Sequence, residues 1–158
     1  LSQGSSGGVS RLFARPDYQE GLPEVRGSMN RLVPDVSAVA DPFTGVQIVI
    51  RQNTQLGGGT SQAAPIWAGM TALINQYLVD NGGKSVGNIN PLLYHVAKGS
   101  KLPGFRDITA GGNAVDSPVE GFDLVSGLGS PNVDNLARIL LDEQKAEAVA
   151  SNYLSDGG

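Results

Sequence analysis

The stretch Gly57-Gly58-Gly59-Thr60-Ser61-Gln62-Ala63-Ala64-Pro65 holds the residue types and spacing best suited to chemistry in this chain. Three successive glycines permit a sharp turn with positive φ angles that side chains would resist. Ser61 stands where that turn ends and an apolar run to Leu78 begins, which predicts a helix over about 62–79. The N–H groups of a helix start lack intrahelical acceptors and, with the positive end of the helix dipole, suit a developing oxyanion. A serine hydroxyl projecting from that corner is placed to act as an acylating nucleophile. A serine after glycine is equally a common N-cap, and the turn by itself leaves both roles open. Pro65 is expected in the first helical turn, where a missing N–H does little harm.

A second group of candidate residues lies near the C-terminus. Asp107 and Asp123 bracket a long polar, glycine-rich loop spanning 105–131. Hard cations such as Ca²⁺ take six to eight oxygen ligands, and such a loop can turn its carbonyls inward to supply them. Aspartates in loops also cap turns, which is the alternative reading of both. Other titratable residues offer less. The single histidine, His95, falls inside a predicted helix and reads as a surface or packing residue. Glu20 and Glu24 have helical spacing, but Gly21 and Pro23 between them oppose a helix. Glu143 and Glu147 lie one turn apart in a charged, alanine-rich stretch and read as a solvated face. Asp35 reads as a structural or capping aspartate.

The elements that must carry these residues follow from pattern. Residues 9–13 read as a short extended piece and 33–39 as a short buried strand or a loop entering one. Residues 41–45 (Asp-Pro-Phe-Thr-Gly) read as a turn, and the β-branched run 46–51 as the clearest strand. The helix after Ser61 is apolar on nearly all sides, which predicts burial deep in a larger body. Asn81-Gly82-Gly83 should end it. Asn90 as N-cap and Pro91 at the first position should open a second helix to about Lys98. A last helix should begin near Asn132 or Val133, with Val133, Leu136, Ile139 and Leu140 on one face. Residues 142–158 read as a polar, helical or disordered tail, leaving 1–141 as the folded unit.

Composition bounds the function. The chain has 158 residues, 40% of them hydrophobic and 16% charged, as a globular domain requires. A net charge of −4 without a Lys/Arg cluster argues against nucleic acid as a partner. No apolar run reaches membrane-spanning length, and no signal peptide is visible at Leu1, where a processed start would look the same. With no cysteine, disulfides, thiol catalysis and Cys-ligated zinc are excluded. Twenty-two glycines mark long connections that need something to hold them.

Five strings, in order, resemble the sedolisin family of serine-carboxyl peptidases. They are Gly7-Gly8-Val9-Ser10-Arg11-Leu12-Phe13; Val33-Pro34-Asp35-Val36-Ser37-Ala38 with Ala40-Asp41-Pro42; the Ser61 segment; Asn90-Pro91-Leu92-Leu93-Tyr94; and Phe105-Arg106-Asp107-Ile108-Thr109 with Gly121-Phe122-Asp123 and Gly127-Leu128-Gly129-Ser130-Pro131. The resemblance implies an α/β chain, the C-terminal part of a subtilisin-like three-layer parallel-sheet fold with a calcium-binding loop. It implies a secreted, acid-acting endopeptidase with Ser61 as nucleophile, cleaving peptide or protein substrates. It further implies one structural Ca²⁺ on the carboxylates of Asp107 and Asp123 and the carbonyls of Ile108, Val119 and Gly121. Members of the family pair their serine with a glutamate base, an orienting aspartate and an oxyanion aspartate, all N-terminal to the matched region. This chain shows no substitute for them. The expected partner is therefore the N-terminal portion of the same peptidase domain, with a homo-oligomer if the chain stands alone. The alternative is a non-catalytic, calcium-stabilised binding or assembly domain derived from a peptidase.

Overall fold

A computed structural model describes residues 4–22 and 29–155, with side chains described to residue 151. The order is β1 (Gly8–Ala14), a 3₁₀ turn (Asp17–Gln19), β2 (Asn30–Val33), β3 (Gln47–Ile50), β4 (Asn53–Leu56), α1 (Thr60–Asp80), α2 (Asn90–Gly99), β5 (Phe105–Arg106), β6 (Ser130–Pro131) and α3 (Val133–Ser155). This is α/β content, but the strands form three antiparallel pairs, β1–β2, β3–β4 and β5–β6. The parallel three-layer sheet expected above is not formed among the described residues. Parallel pairing needs a crossover of a dozen or more residues and a neighbouring strand. Instead, β3 folds straight back onto β4 with Ile50 opposite Asn53. The two turn residues, Arg51 and Gln52, both have positive φ (48° and 70°). That is the backbone of a two-residue hairpin turn, built here without glycine or asparagine.

The core gathers around the C-terminal helices. Leu136, Ile139 and Leu140 of α3 are buried against Leu93, Tyr94 and Val96 of α2 and Ile74 and Leu78 of α1, with Phe122 and Leu128 from the long loop. The predicted apolar stripe of α3 is therefore the face that packs, with Val133 partly buried at its start. α3 continues beyond that stripe with Gln144 gripping the turn after α1: its Oε1 accepts the Lys84 N–H (2.7 Å) and its Nε2 donates to the Lys84 carbonyl (2.9 Å).

α1 ends where expected. The Gly82 N–H bonds the Val79 carbonyl (3.1 Å) and the Gly83 N–H the Leu78 carbonyl (2.8 Å), a Schellman closure. Two local expectations need correction. Pro65 is the sixth residue of α1, not in its first turn, so the Ser61 carbonyl lacks the i+4 donor it would otherwise receive. The cap of α2 falls on Ile89, and Asn90 turns its amide to Asp35 Oδ2 (3.3 Å) instead of capping.

Only part of α1 is covered within this chain. Leu78 has no exposed surface, whereas Leu73 is 61% exposed and Val79 54%. Leu78→Ala should destabilise by about 2–5 kcal/mol, and Leu73→Ala in the isolated chain by under about 0.5 kcal/mol, both read by urea unfolding.

Candidate nucleophile site and loop

Ser61 is positioned by a strand–turn–helix corner: β4, the turn 57–59, and α1. The turn is pinned from two sides. The Gly57 N–H bonds the Val46 carbonyl (2.9 Å) on the hairpin, and the Gly59 N–H bonds the Ala40 carbonyl (2.6 Å). Gly59 has φ 80°, and a Cβ on Gly58 would lie 2.6 Å from Pro42 Cα. Residues 41–45 form the predicted turn, with Asp41 accepting the N–H groups of Phe43 (3.2 Å) and Thr44 (3.0 Å). The Thr44 hydroxyl, then the Phe43 N–H, hold the Asp41 carboxyl below its usual range.

At the helix start, Gln62 and Ala63 direct their N–H groups to the Gly59 carbonyl (2.9 and 3.3 Å). The N–H groups of Thr60 and Ser61, the first two of the helix, have no acceptor among the described residues. Ser61 is exposed, and its hydroxyl makes no hydrogen bond among them. It lines a groove of about 460 Å³ with Val46, Ile48, Gly57, Gly58, Gln62, Pro65 and Ile66. Its hydroxyl does not cap the helix, since the N-cap is Gly59. The next residue, Gln62, was not among the candidates. It is buried, its Nε2 donates to the Val39 carbonyl (3.3 Å), and its Oε1 is enclosed without a partner. A lone amide in an apolar helix start is the signal that marks it.

The other candidates fall into separate places. Asp107 Oδ2 accepts the Gly121 N–H (2.8 Å), and Asp123 Oδ2 accepts the Val119 N–H (3.1 Å). Both carboxylates thus converge on the segment that carries Val119 and Gly121. Asp123 also caps its turn, its Oδ1 accepting the N–H groups of Val125 (2.8 Å) and Ser126 (2.7 Å). Asp107 and Gly121 are exposed, Ile108 half-buried and Asp123 buried. Among the described residues no three or more His, Cys, Asp or Glu form a metal-holding group. A cation here would depend on backbone carbonyls as well as the two carboxylates, a hard-oxygen set that suits Ca²⁺.

His95 lies on the surface of α2, where its Nε2 meets Glu143 Oε1 of α3 at 3.2 Å. Burial pushes the Glu143 carboxyl above its usual range, with His95 opposing the shift. Glu147 and Glu20 are exposed, and Glu24 lies outside the described residues. Asp35 is structural: Arg31, Tyr94, Gln19 and Asn90 all donate to its carboxylate.

An exposed serine on a glycine turn between strand and helix has the form of a serine-hydrolase nucleophile segment. Comparison with known proteins narrows this. No family model matches the chain. It is 42% identical over 151 residues to kumamolisin of Bacillus sp. strain MN-32, a match covering 87% of this chain and 25% of that protein. Tripeptidyl-peptidase 1 of Dictyostelium discoideum is 34% identical over 156 residues, again across 87% and 25%. The structure of Pseudomonas sedolisin, a serine-carboxyl proteinase complexed with two molecules of pseudo-iodotyrostatin, superposes with a TM-score of 0.72 at 28% identity. That superposition covers 85% of this chain and 36% of that one. The chain belongs to the sedolisin family of serine-carboxyl peptidases. It spans about a quarter of the length of the curated relatives it matches.

The two turn glycines differ in what they tolerate. Gly59→Ala meets nothing within 4 Å, so its cost is the strain of φ 80°, ψ 171°, a region essentially confined to glycine, about 1–3 kcal/mol. Gly58→Ala must displace the Pro42 backbone and should cost more, with the larger drop in unfolding free energy.

Proposed function

We propose that this chain is the nucleophile-bearing, C-terminal portion of an acid-acting, secreted serine-type endopeptidase, completed by an N-terminal portion of the same domain. The observation that carries the reading is Ser61: exposed, unbonded at its hydroxyl, and set over an apolar groove in a chain that aligns with kumamolisin. Ser61 Oγ attacks the scissile carbonyl carbon of a peptide. Its proton passes to a carboxylate base on the complementing portion. A carboxylate stays ionised in acid, where an imidazole would be protonated. The Ser61 N–H at the helix start is placed to receive the developing oxyanion, helped by the helix dipole. The base returns that proton to the nitrogen as the C–N bond breaks and the amine leaves, and water then hydrolyses the acyl-enzyme. Alone, Ser61 has no base to activate it and the chain is inactive.

The lack of a base beside Ser61 among the described residues favours a second reading for the isolated chain, a non-catalytic, calcium-stabilised binding or assembly domain derived from a peptidase. One experiment separates the two. Mixed with its N-terminal portion at acid pH, the chain should cleave peptides, and Ser61→Ala should reduce turnover at least about a thousandfold. Equal turnover in the mutant removes the nucleophile role. No labelling by an active-site serine probe in the full-length product supports the binding domain.

The loop reading is a structural Ca²⁺ held by the carboxylates of Asp107 and Asp123 and the carbonyls of Ile108, Val119 and Gly121. It is supported by the convergence of both carboxylates on that segment. Ion binding would offset the ordering entropy of a loop with few apolar anchors. Free Ca²⁺ at a hundred times its Kd should stabilise the chain by about 2.7 kcal/mol. Chelation should remove that gain, and Asp107→Asn should not respond to the ion, both followed by thermal unfolding.

A further inference from the structure

Residues 34–40 form no strand or helix, yet they lie between the two places to which chemistry has been assigned. On one side they are bonded to the end of the long loop. The Leu128 N–H donates to the Asp35 carbonyl (2.9 Å), and the Ser37 N–H donates to the Gly129 carbonyl (3.0 Å). Gly127 allows this approach: it sits at φ 64°, and a Cβ there would lie 2.4 Å from the Asp35 carbonyl oxygen. On the other side the segment holds the serine corner. Trp67 Nε1 donates to the Ser37 carbonyl (3.0 Å), Gln62 Nε2 to the Val39 carbonyl (3.3 Å), and the Gly59 N–H to the Ala40 carbonyl (2.6 Å). Ser37 is the crossing point, giving its N–H to the loop and its carbonyl to α1.

We propose that residues 34–40 are a coupling strap through which order in the 107–129 loop fixes the position of Ser61. A segment without its own ladder takes its position from its outside bonds. Here five of them connect the end of the long loop to the serine corner. Loosening the loop removes the bonds at the Asp35 carbonyl and the Ser37 N–H, leaves the Asp35 carboxylate as the strap's remaining anchor on that side, and so loosens the acceptors that hold Gly59, Gln62 and Trp67. Gln62 and Trp67 are then positioning residues, acting on Ser61 through the strap. The inference deepens the reading of Ser61 and takes only its natural trigger, Ca²⁺, from the reading of the loop.

Because coupling between sites is reciprocal, it can be read from either end. Hydrogen exchange followed by mass spectrometry reports peptides 57–66 and 124–130 separately. Gly127→Ala should speed exchange in 57–66 by about fivefold or more. Gly111→Ala, a positive-φ glycine of the same loop whose Cβ would meet nothing within 4 Å, should not. Trp67→Phe keeps the ring but removes the Nε1 donor, and it should speed exchange in 124–130 by about fivefold or more. It stands in where Gly127→Ala fails to fold. An unchanged distant peptide in a folded variant overturns the proposal. Added CaCl₂ should slow exchange in both 107–123 and 57–66, and protection confined to 107–123 also overturns it. If CaCl₂ protects neither, the metal reading fails while the two variants still decide the coupling.

Discussion

The carboxylate of Asp35 is the constraint on which the arrangement of this chain depends. Arg31 and Asn90 donate to one oxygen, and Tyr94 (3.0 Å) and Gln19 (3.3 Å) to the other. These partners come from β2, α2 and the 3₁₀ turn, so one side chain joins three elements distant in sequence. Buried polar groups are costly unless bonded, and a cluster this satisfied specifies one arrangement over its alternatives. Gln19 completes it by donating to the Leu32 carbonyl (2.8 Å) and accepting the Leu32 N–H (2.9 Å). Burial, and then the Asp35 charge, push the Tyr94 hydroxyl well above its usual range, and it donates to Asp35.

Around this polar centre the apolar surface is distributed unevenly. The helices α2 and α3 bury their stripes, and Tyr94 packs against Tyr18 and Phe122 at ring-centroid distances of 5.1 and 6.0 Å. The opposite side is open. Every residue of β3 and β4 is exposed, and a two-stranded hairpin is at best marginally stable without a covering layer. Val49, Ile50 and Leu56 on that hairpin and Leu73 on α1 stay in contact with solvent. On the reading proposed above, this is the surface that a complementing portion would cover. Ile48 of the same hairpin lines the Ser61 groove.

Helix positions were legible in the sequence because they rest on local signals. The glycine turn before Ser61, the Asn-Gly-Gly stop after α1 and the apolar stripe of α3 each act within a few residues. The hairpin was half legible: β3 declared itself through β-branched residues, whereas Arg51-Gln52 carries no turn signature and Asn53–Leu56 alternates too weakly. The parallel sheet was carried in from resemblance, and sheet pairing is a property of distant strands that no local pattern in this segment encodes. The same limit applied to the candidate site. Ser61 was visible as a residue type in a turn. Gln62 and Trp67 owe their roles to carbonyls more than twenty residues earlier, and only the folded chain shows those contacts.

The corner that carries Ser61 is held by backbone bonds within this chain. Its turn is bonded to the Val46 and Ala40 carbonyls, its helix start leaves two N–H groups without an acceptor among the described residues, and its hydroxyl stands exposed. Fixing geometry and supplying a base are separable contributions to nucleophilic catalysis: the first comes from backbone bonding, the second from a titratable neighbour. This chain invests its hydrogen bonds in the first. Such a division has a consequence for how a complementing portion could act. Under the proposed function, the position of Ser61 is set by bonds internal to this segment, from Gly57 to Val46 and from Gly59 to Ala40. On the proposed reading, a complementing portion would cover the apolar hairpin and bring a carboxylate to Ser61 Oγ, joining docking to activation.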